Sequence, residues 1–354
     1  MGPHLPSIAT FAAAAALAGT APRAGELDQP ADVGLGPGGD LYVCSLGADE
    51  VLRYDGATGA FVEVFASGGG LDGPAGLTFG PGGDLYVTGF FSASVVRFDG
   101  STGEPLGAFV GPSAGLLSPV DLRFHDGSLL VAGQGNGAVL AFDGATGQPA
   151  GAFATVSGGP RFLAVTPGGD LLVSTIFQDE VQRFDGTTGA PLGVFASGGG
   201  LDWAEGLIFG PDGHLYVCSR NNDRVIRYDG QSGALLGDFV AAGAGGLQDP
   251  VGAVFHGGSL LVASLGTDHV LAYDAVSGGF TGPFDQPLPC AETVRLGSPP
   301  NPAAFLPGAT SGPVVGGTWD PVIDHATFLP DAVVDVLFAS PLPANLPSSL
   351  GTVL

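Results

Sequence analysis

The chain has 354 residues, with 34 acidic against 10 basic side chains and a formal net charge of −24. A charge of this sign and size opposes binding to nucleic acid or to anionic membrane surfaces, so we exclude nucleic acid as a partner. The apolar run over 8–18 is too short to span a bilayer as a helix, so no transmembrane anchor is predicted.

The first 24 residues are predicted to be a signal peptide. Their apolar run ends at Ala16-Leu17-Ala18, where two small residues flank Leu17 as in a cleavage site, and a second, weaker cleavage point lies near Ala24. The basic residues that usually precede such a run are missing. The predicted location of the mature protein is therefore secreted, periplasmic or on the cell surface.

A sixfold repeat occupies the chain between about residues 25 and 285. An Asp that follows Tyr or Phe and precedes Gly or Ala recurs at intervals of 42 to 45 residues, at Asp55, Asp99, Asp143, Asp185, Asp229 and Asp274. A period of this length with several short strands per unit is typical of β-propeller blades. The predicted fold is all-β, a six-bladed β-propeller with repeats at about 28–72, 73–117, 118–158, 159–202, 203–248 and 249–285.

The second repeat shows how one blade is read from the sequence. Alternating apolar residues predict strand A over 74–79, strand B over 85–87, strand C over 95–98 and strand D over 105–110, with Gly, Pro and Asp in the turns. The blade is therefore expected to be four antiparallel strands. Blades one and six are expected to meet without a borrowed strand, and a contribution of residues 26–29 to their closure stays open.

Within the fifth repeat, Gly213 is followed by the segment 215–229, which contains in order an apolar pair, Val, a small polar residue, Asn and Arg-Val. This segment resembles the NHL-type propeller repeat, whose relatives include streptogramin lyase-like and gluconolactonase-like propellers. The resemblance covers roughly residues 26–285. It implies the propeller architecture and, as one alternative, a metal-dependent lyase or lactonase activity.

The C-terminal 286–354 segment loses the repeat and becomes rich in proline. It is predicted to be a separate β-rich module that is cut short at Leu354. The three cysteines do not form a disulfide framework, because Cys44 and Cys218 occupy the same strand-B position in distant blades. Both are expected to be small buried hydrophobes, and Cys290 lies in the C-terminal segment.

The loops divide between two faces of the predicted ring. The A–B and C–D turns share one face and are nearly constant between repeats, whereas the B–C and D–A loops share the other and vary. Function concentrates on variable loops that a rigid scaffold holds, so the B–C/D–A face is the predicted ligand face. Near the axis on that face, alignment of the repeats brings together Asp32, Asp121, Arg161 and Glu205.

Converging carboxylates suit hard cations, so Asp32, Asp121 and Glu205 are candidate ligands of a divalent cation, Ca²⁺ or Mg²⁺. In the alternative, these acids hydrate the channel mouth or form an ion pair with Arg161. The loops add further candidate ligand-binding residues: Phe90, Phe91, Trp203, Arg220, Asn221 and His269. Phe177, in contrast, is expected to pack in the seam between two blades.

Two functions remain open from the sequence. The first is a binding or interaction module for a small molecule, a glycan or a protein. The second is a lyase, which requires a histidine base beside a metal-bound carboxylate, or a lactonase with an axial metal set. His269 is the single histidine in a B–C loop and no axial Asn is evident, so neither catalytic signature is complete.

Overall fold

The computed structural model describes residues 26–285. The predicted signal peptide and C-terminal module lie outside these residues, together with Cys290. Within the described range the chain forms six sheets of four antiparallel strands, each in the order A, B, C, D. The prediction of six complete blades is therefore confirmed.

The strands are numbered in chain order, and each blade is four successive strands. The first two blades are β1 (Pro30–Leu35), β2 (Leu41–Ser45), β3 (Glu50–Tyr54), β4 (Phe61–Ser67), β5 (Pro74–Phe79), β6 (Leu85–Gly89), β7 (Ser94–Phe98) and β8 (Pro105–Val110). The next two are β9 (Pro119–His125), β10 (Ser128–Gly133), β11 (Ala138–Asp143), β12 (Pro149–Thr155), β13 (Pro160–Val165), β14 (Leu171–Thr175), β15 (Glu180–Phe184) and β16 (Pro191–Ser197). The last two are β17 (Ala204–Phe209), β18 (Leu215–Ser219), β19 (Arg224–Tyr228), β20 (Leu235–Val240), β21 (Pro250–His256), β22 (Ser259–Ser264), β23 (His269–Asp274) and β24 (Phe280–Pro283).

Helical structure between residues 26 and 285 is limited to three single turns of 3-10 helix, Pro112–Ala114, Arg220–Asn222 and Ala244–Gly246. In this range no helix has the length and apolar character needed to cross a membrane.

The repeated Asp-Gly motif forms the C–D turn. In the first blade, Asp55 Oδ1 accepts hydrogen bonds from the backbone amides of Ala57 and Thr58 and from the Thr58 hydroxyl. The same arrangement recurs in the other five blades, which explains why an acceptor with a short side chain is repeated there. These acids are turn-forming residues, and their hydrogen bonds lower the pKa of each carboxyl.

The core lies in the seams between neighbouring blades. Tyr42 of β2, for example, packs edge-on against Phe65 of its own blade and Phe79 of the next, both with ring centroids 4.9 Å away. Strand A of each blade is innermost and contacts strand A of both neighbours, including β1 against β21. The innermost strands therefore close a ring around a central axis.

The ring closes without an exchanged strand, as predicted. The segment that precedes β1 takes the place of a D–A loop: the Gln29 amide donates to Asp268 Oδ1 at 2.8 Å. The same link joins the first blade to the second, where Gly73 donates to Asp49 Oδ1 at 2.7 Å. Within the sixth blade, the Phe284 amide donates to the Val270 carbonyl and continues the pairing of β24 with β23.

We expect Asp268→Gly to weaken this closure by about 1.5 kcal/mol, since it removes an acceptor with a negative charge. Glycine also avoids strain, because Asp268 has a φ of 56°. Hydrogen exchange of β1 should become faster in this variant. Asp49→Gly is the matched control, because it removes the same link between the first and second blades, which the chain itself still joins. Equal acceleration of β1 exchange in both variants would contradict the prediction.

Asp285 ends the sixth blade as a buried carboxylate. Its Oδ1 accepts from the Val270 amide at 2.8 Å and its Oδ2 lies 2.9 Å from His269 Nδ1. Burial is the largest influence on the Asp285 pKa and raises it, against the opposing effect of His269. The equivalent residues of the other blades are apolar, as at Ala66 and Ala196.

The raised pKa gives a pH prediction for Asp285→Asn. Because the folded state holds this proton more firmly than the unfolded state, the wild type loses stability as pH rises from about 4 through the raised pKa. Asparagine keeps the shape but does not ionise, so the urea midpoint of the variant should match the wild type near pH 4 and exceed it at pH 8. A constant difference at all pH values would contradict this expectation.

The outermost strands are irregular. In the second blade, the pairing of β7 with β8 shifts register twice, between Val95 and Val96 and between Arg97 and Phe98. Equivalent double shifts occur in the first, third, fourth and fifth blades. Glycines with positive φ occupy the second to fifth outer strands, at Gly107, Gly151, Gly193 and Gly237. The rim of the propeller is thus formed by bulged edges.

Candidate functional site

The predicted axial residues lie at two different depths. Each strand A runs from the B–C/D–A face toward the opposite face, so its residue order gives depth along the axis. Arg161 and Glu205 are each the second residue of their strand A, near the B–C/D–A face. Asp32 and Asp121 come one residue later, and they line a channel cavity of about 190 Å³ whose lining includes neither Arg161 nor Glu205.

Arg161 and Glu205 form a buried bidentate ion pair. Arg161 Nε and Nη2 donate to Glu205 Oε2 and Oε1 at 2.7 and 2.9 Å. Glu205 is fully buried and Arg161 is 4% exposed. The alternative in which an ion pair with Arg161 neutralises one of the acids is therefore the one observed.

Three half-buried side chains from neighbouring loops join this pair. Gln134 Oε1 accepts from Arg161 Nη1 at 2.9 Å, and Trp203 Nε1 donates to Glu205 Oε1 at 3.0 Å. Arg220 Nη1 lies 3.6 Å from Glu205 Oε1, and its guanidinium lies 5.7 Å from the centroid of the Trp203 ring. We call Gln134, Arg161, Trp203, Glu205 and Arg220 the axial cluster.

Asp32 and Asp121 fasten neighbouring inner strands to each other. Asp32 Oδ2 accepts from the Leu77 amide of the second blade at 3.1 Å, and Asp121 Oδ2 accepts from the Leu163 amide of the fourth at 2.8 Å. Each carboxylate also accepts an amide of its own strand. Both therefore have a structural role between blades.

Burial raises the pKa of both acids, and the neighbouring Asp121 charge raises the pKa of Asp32 further. Arg123 opposes these shifts. This arginine projects among the channel-lining residues and donates from Nε to the Leu163 carbonyl at 3.2 Å. Sequence reasoning missed both Arg123 and Gln134. Comparing the repeats two residues after the Asp121 position would have singled out Arg123 as the one charged residue there. Its counterparts in the other blades are Gly34, Thr78, Ala164, Ile208 and Val254.

The loop candidates have separate surroundings. Phe90 is half-buried against the core, whereas Phe91 is 52% exposed beside it, with ring centroids 5.2 Å apart. Asn221 is exposed, and its Nδ2 donates to Asp202 Oδ1 at 2.9 Å. The prediction that Phe177 packs in a blade seam is wrong: its side chain is 59% exposed and contacts Trp203 edge-on at 6.4 Å.

The described residues do not fit the metal sites considered from the sequence. Between residues 26 and 285, no three His, Cys, Asp or Glu side chains are grouped closely enough to hold a metal ion, so Asp32, Asp121 and Glu205 are not assembled as one ligand set. His269 begins β23, two strands outward from the axis, and pairs with Asp285. It is therefore not the base beside an axial carboxylate that the lyase alternative requires.

An internal duplication shows which of these residues the fold itself requires. Each blade matches the blade three places further on, most clearly where residues 65–72 and 195–202 have the same sequence. The counterparts of Arg161, Glu205 and Arg220 in this comparison are Ala31, Ala75 and Phe90. Those of Gln134 and Trp203 are Leu265 and Gly73. We call the end of the central channel at the B–C/D–A face the axial mouth. One half of the axial mouth is therefore apolar, and the other half is formed by the axial cluster.

Cys44 and Cys218 are free and buried, as predicted. Burial raises the pKa of both thiols, so they are unreactive core residues.

The sequence matches no protein-family model and none of the curated proteins. Solved structures share its fold. Virginiamycin B lyase from Staphylococcus aureus is 16% identical, with a TM-score of 0.51 over 66% of this chain and 76% of that one. A streptogramin B lyase is 15% identical, with a TM-score of 0.52 over 68% and 92%.

A third similar structure is a nidogen/laminin complex. It is 17% identical, with a TM-score of 0.55 over 67% of this chain and 90% of that one. Identities this low show the fold alone. The chain is thus a six-bladed propeller similar to the streptogramin B lyase and nidogen propellers, consistent with the NHL-type resemblance of its repeats.

Proposed function

We propose that the protein is an exported binding module that recognises its ligand with the B–C/D–A face, centred on the axial cluster. The observation that carries the proposal is the asymmetry of the axial mouth. Buried ion pairs seldom stabilise a protein more than apolar residues of similar volume do. The half of the mouth formed by Ala31, Ala75 and Phe90 occupies equivalent positions without any charge.

The axial cluster suits recognition of a polar ligand. Arg161 and Glu205 hold each other rigidly, and the half-buried Gln134, Trp203 and Arg220 surround them at the mouth of the channel. A ligand in this position would meet the Gln134 amide, the Trp203 ring and the Arg220 guanidinium, with the apolar Phe90 and Leu265 nearby. Convergent polar groups next to apolar walls are typical of ligand sites.

The proposed ligand is a small molecule, a glycan or a protein. A protein partner is supported by the similar propeller that was solved in the nidogen/laminin complex. Export rests on the sequence of residues 1–24. Determining the N-terminus of the mature protein tests it: a new terminus near residue 18 or 24 is expected, and an intact Met1 in the mature protein would contradict export.

The fold likeness to streptogramin B lyase favours a second function, that of a lyase or lactonase. The described side chains give it less support, because His269 is paired with Asp285 away from the axis. Incubation with streptogramin B and with simple lactones, with Mg²⁺ added, is expected to leave them unchanged. Formation of a product would overturn the non-catalytic proposal.

The binding proposal is tested with Arg161→Ala/Glu205→Ala, which gives the axial cluster the alanines already present at positions 31 and 75. Thermal unfolding of the full chain is measured with a panel of disaccharides, amino acids and short peptides. At least one probe is expected to raise the melting temperature of the wild type but not of the variant.

The matched control is Arg53→Ala/Glu63→Ala, an ion pair of 3.0 Å between the outer strands β3 and β4. It should keep the wild-type responses. If the axial variant folds and responds to every probe as the wild type does, the axial cluster is not the ligand site.

A further inference from the structure

Four large apolar side chains lie on successive blades of the B–C/D–A face. Phe91, Leu117 and Phe177 are 52%, 54% and 59% exposed, and Phe177 contacts the half-buried Trp203. Phe91 and Phe177 belong to the B–C loops of the second and fourth blades, and Leu117 and Trp203 lie in the D–A loops that enter the third and fifth. We call these four residues the apolar arc.

The fold does not require the apolar arc. By the internal duplication, the counterparts of Phe91, Leu117 and Phe177 are Asn221, Gln248 and Gly47, and the counterpart of Trp203 is Gly73. The loops keep the same backbone hydrogen bonds without these side chains. For example, the Gly47 amide donates to the Asp28 carbonyl as the Phe177 amide donates to the Gly158 carbonyl. Exposed aromatic residues that a loop can do without are typical of interaction surfaces.

The surroundings of the apolar arc are strongly anionic. The whole sequence contains no lysine. Among the described residues of this face, each arginine is paired with a carboxylate: Arg161 with Glu205, Arg220 with Asp249, and Arg224 with Asp238. Exposed carboxylates border the arc at Asp72, next to the loop of Phe91, and at Asp202, next to Trp203.

From this charge complementarity we infer that the B–C/D–A face docks a cationic segment of another protein, whose apolar side chains contact the apolar arc and whose Lys or Arg side chains approach the bordering carboxylates. This inference rests on the proposed function and names its class of partner. The exposed rings of Phe91 and Phe177 suit both parts of such a segment, since aromatic faces attract apolar groups and cations. Opposite charges would also accelerate its association.

The test uses the full chain and three synthetic peptides of about 12 residues that alternate Lys with Phe, Lys with Ser, or Glu with Phe. Binding is measured by fluorescence anisotropy at about 0.15 M salt, where long-range charge effects are screened beyond about 8 Å. The Lys-Phe peptide is expected to bind about tenfold more tightly than the Lys-Ser peptide, and the Glu-Phe peptide not at all.

Two triple variants separate the arc from general acidity. Phe91→Ser/Leu117→Ser/Phe177→Ser is expected to weaken binding of the Lys-Phe peptide about tenfold. Leu106→Ser/Leu192→Ser/Val194→Ser replaces rim residues that are 54%, 53% and 55% exposed. This matched control should leave the affinity unchanged.

The inference is overturned if both triple variants bind as the wild type does, or if both lose the same affinity. It is also overturned if the wild type is a dimer in sedimentation and the arc variant a monomer, since a second copy would then cover the arc. Competition by a neutral oligosaccharide would overturn it in favour of a glycan. The two proposals can fail separately. If Arg161→Ala/Glu205→Ala loses its probe responses while the arc variant binds the peptide normally, the proposed function stands and this inference fails.

Discussion

Replacing Gly76 with alanine is expected to lower the free energy of unfolding by about 3 kcal/mol. Gly76 lies in the innermost strand of the second blade, and a Cβ there would overlap the carbonyl oxygen of Val120 in the third. Neither backbone can retreat, because both are held in their own sheets. The two inner strands would therefore have to separate at the axis.

Gly82→Ala is the matched control for this substitution. Gly82 lies in the A–B turn of the same blade and has no positive φ, and a Cβ added there would meet no atom within 4 Å. It should change the urea midpoint only slightly. Similar midpoints for the two variants would show that the inner strands are not as tightly packed as described.

The second large effect concerns the axial cluster. Arg161→Ala alone should cost about 3 kcal/mol, because it leaves the fully buried Glu205 carboxylate without its two-point partner. Arg161→Ala/Glu205→Ala should recover most of this loss, to within about 1 kcal/mol of the wild type, since no buried charge is left unpaired.

Urea unfolding of the wild type, both single variants and the double variant gives the complete cycle. A double variant as unstable as the sum of the two single variants would mean that the pair supports the fold itself. In that case the asymmetry of the axial mouth would no longer point to a ligand.

The periodic Asp-Gly turns were sufficient to predict the blades from the sequence. In the second blade, strands A and D have the predicted bounds, and strands B and C extend only slightly beyond them. The reason is local: turn chemistry and alternation act within a few residues, and they are repeated six times.

The site was predicted less well because an alignment of repeats does not show which partner each aligned side chain meets. Asp32 and Arg161 fall in neighbouring columns, yet one carboxylate turns to the backbone of the next blade while the guanidinium meets Glu205. The position of Phe177 depends on the loop before β13, since its ring lies against Gly159 of that loop and stays exposed on the other side. These contacts join residues that are distant in the sequence, and no local pattern reports them.

The bulged rim has a consequence for how the protein behaves at high concentration. Regular outer strands would let two discs join edge to edge through backbone hydrogen bonds, and such joining can continue without limit into fibres. The double register shifts in the pairing of β7 with β8 twist the outer strand away from a straight edge, although Leu106 is exposed on it. The bulged outer strand is therefore a poor template for backbone pairing with the rim of another molecule.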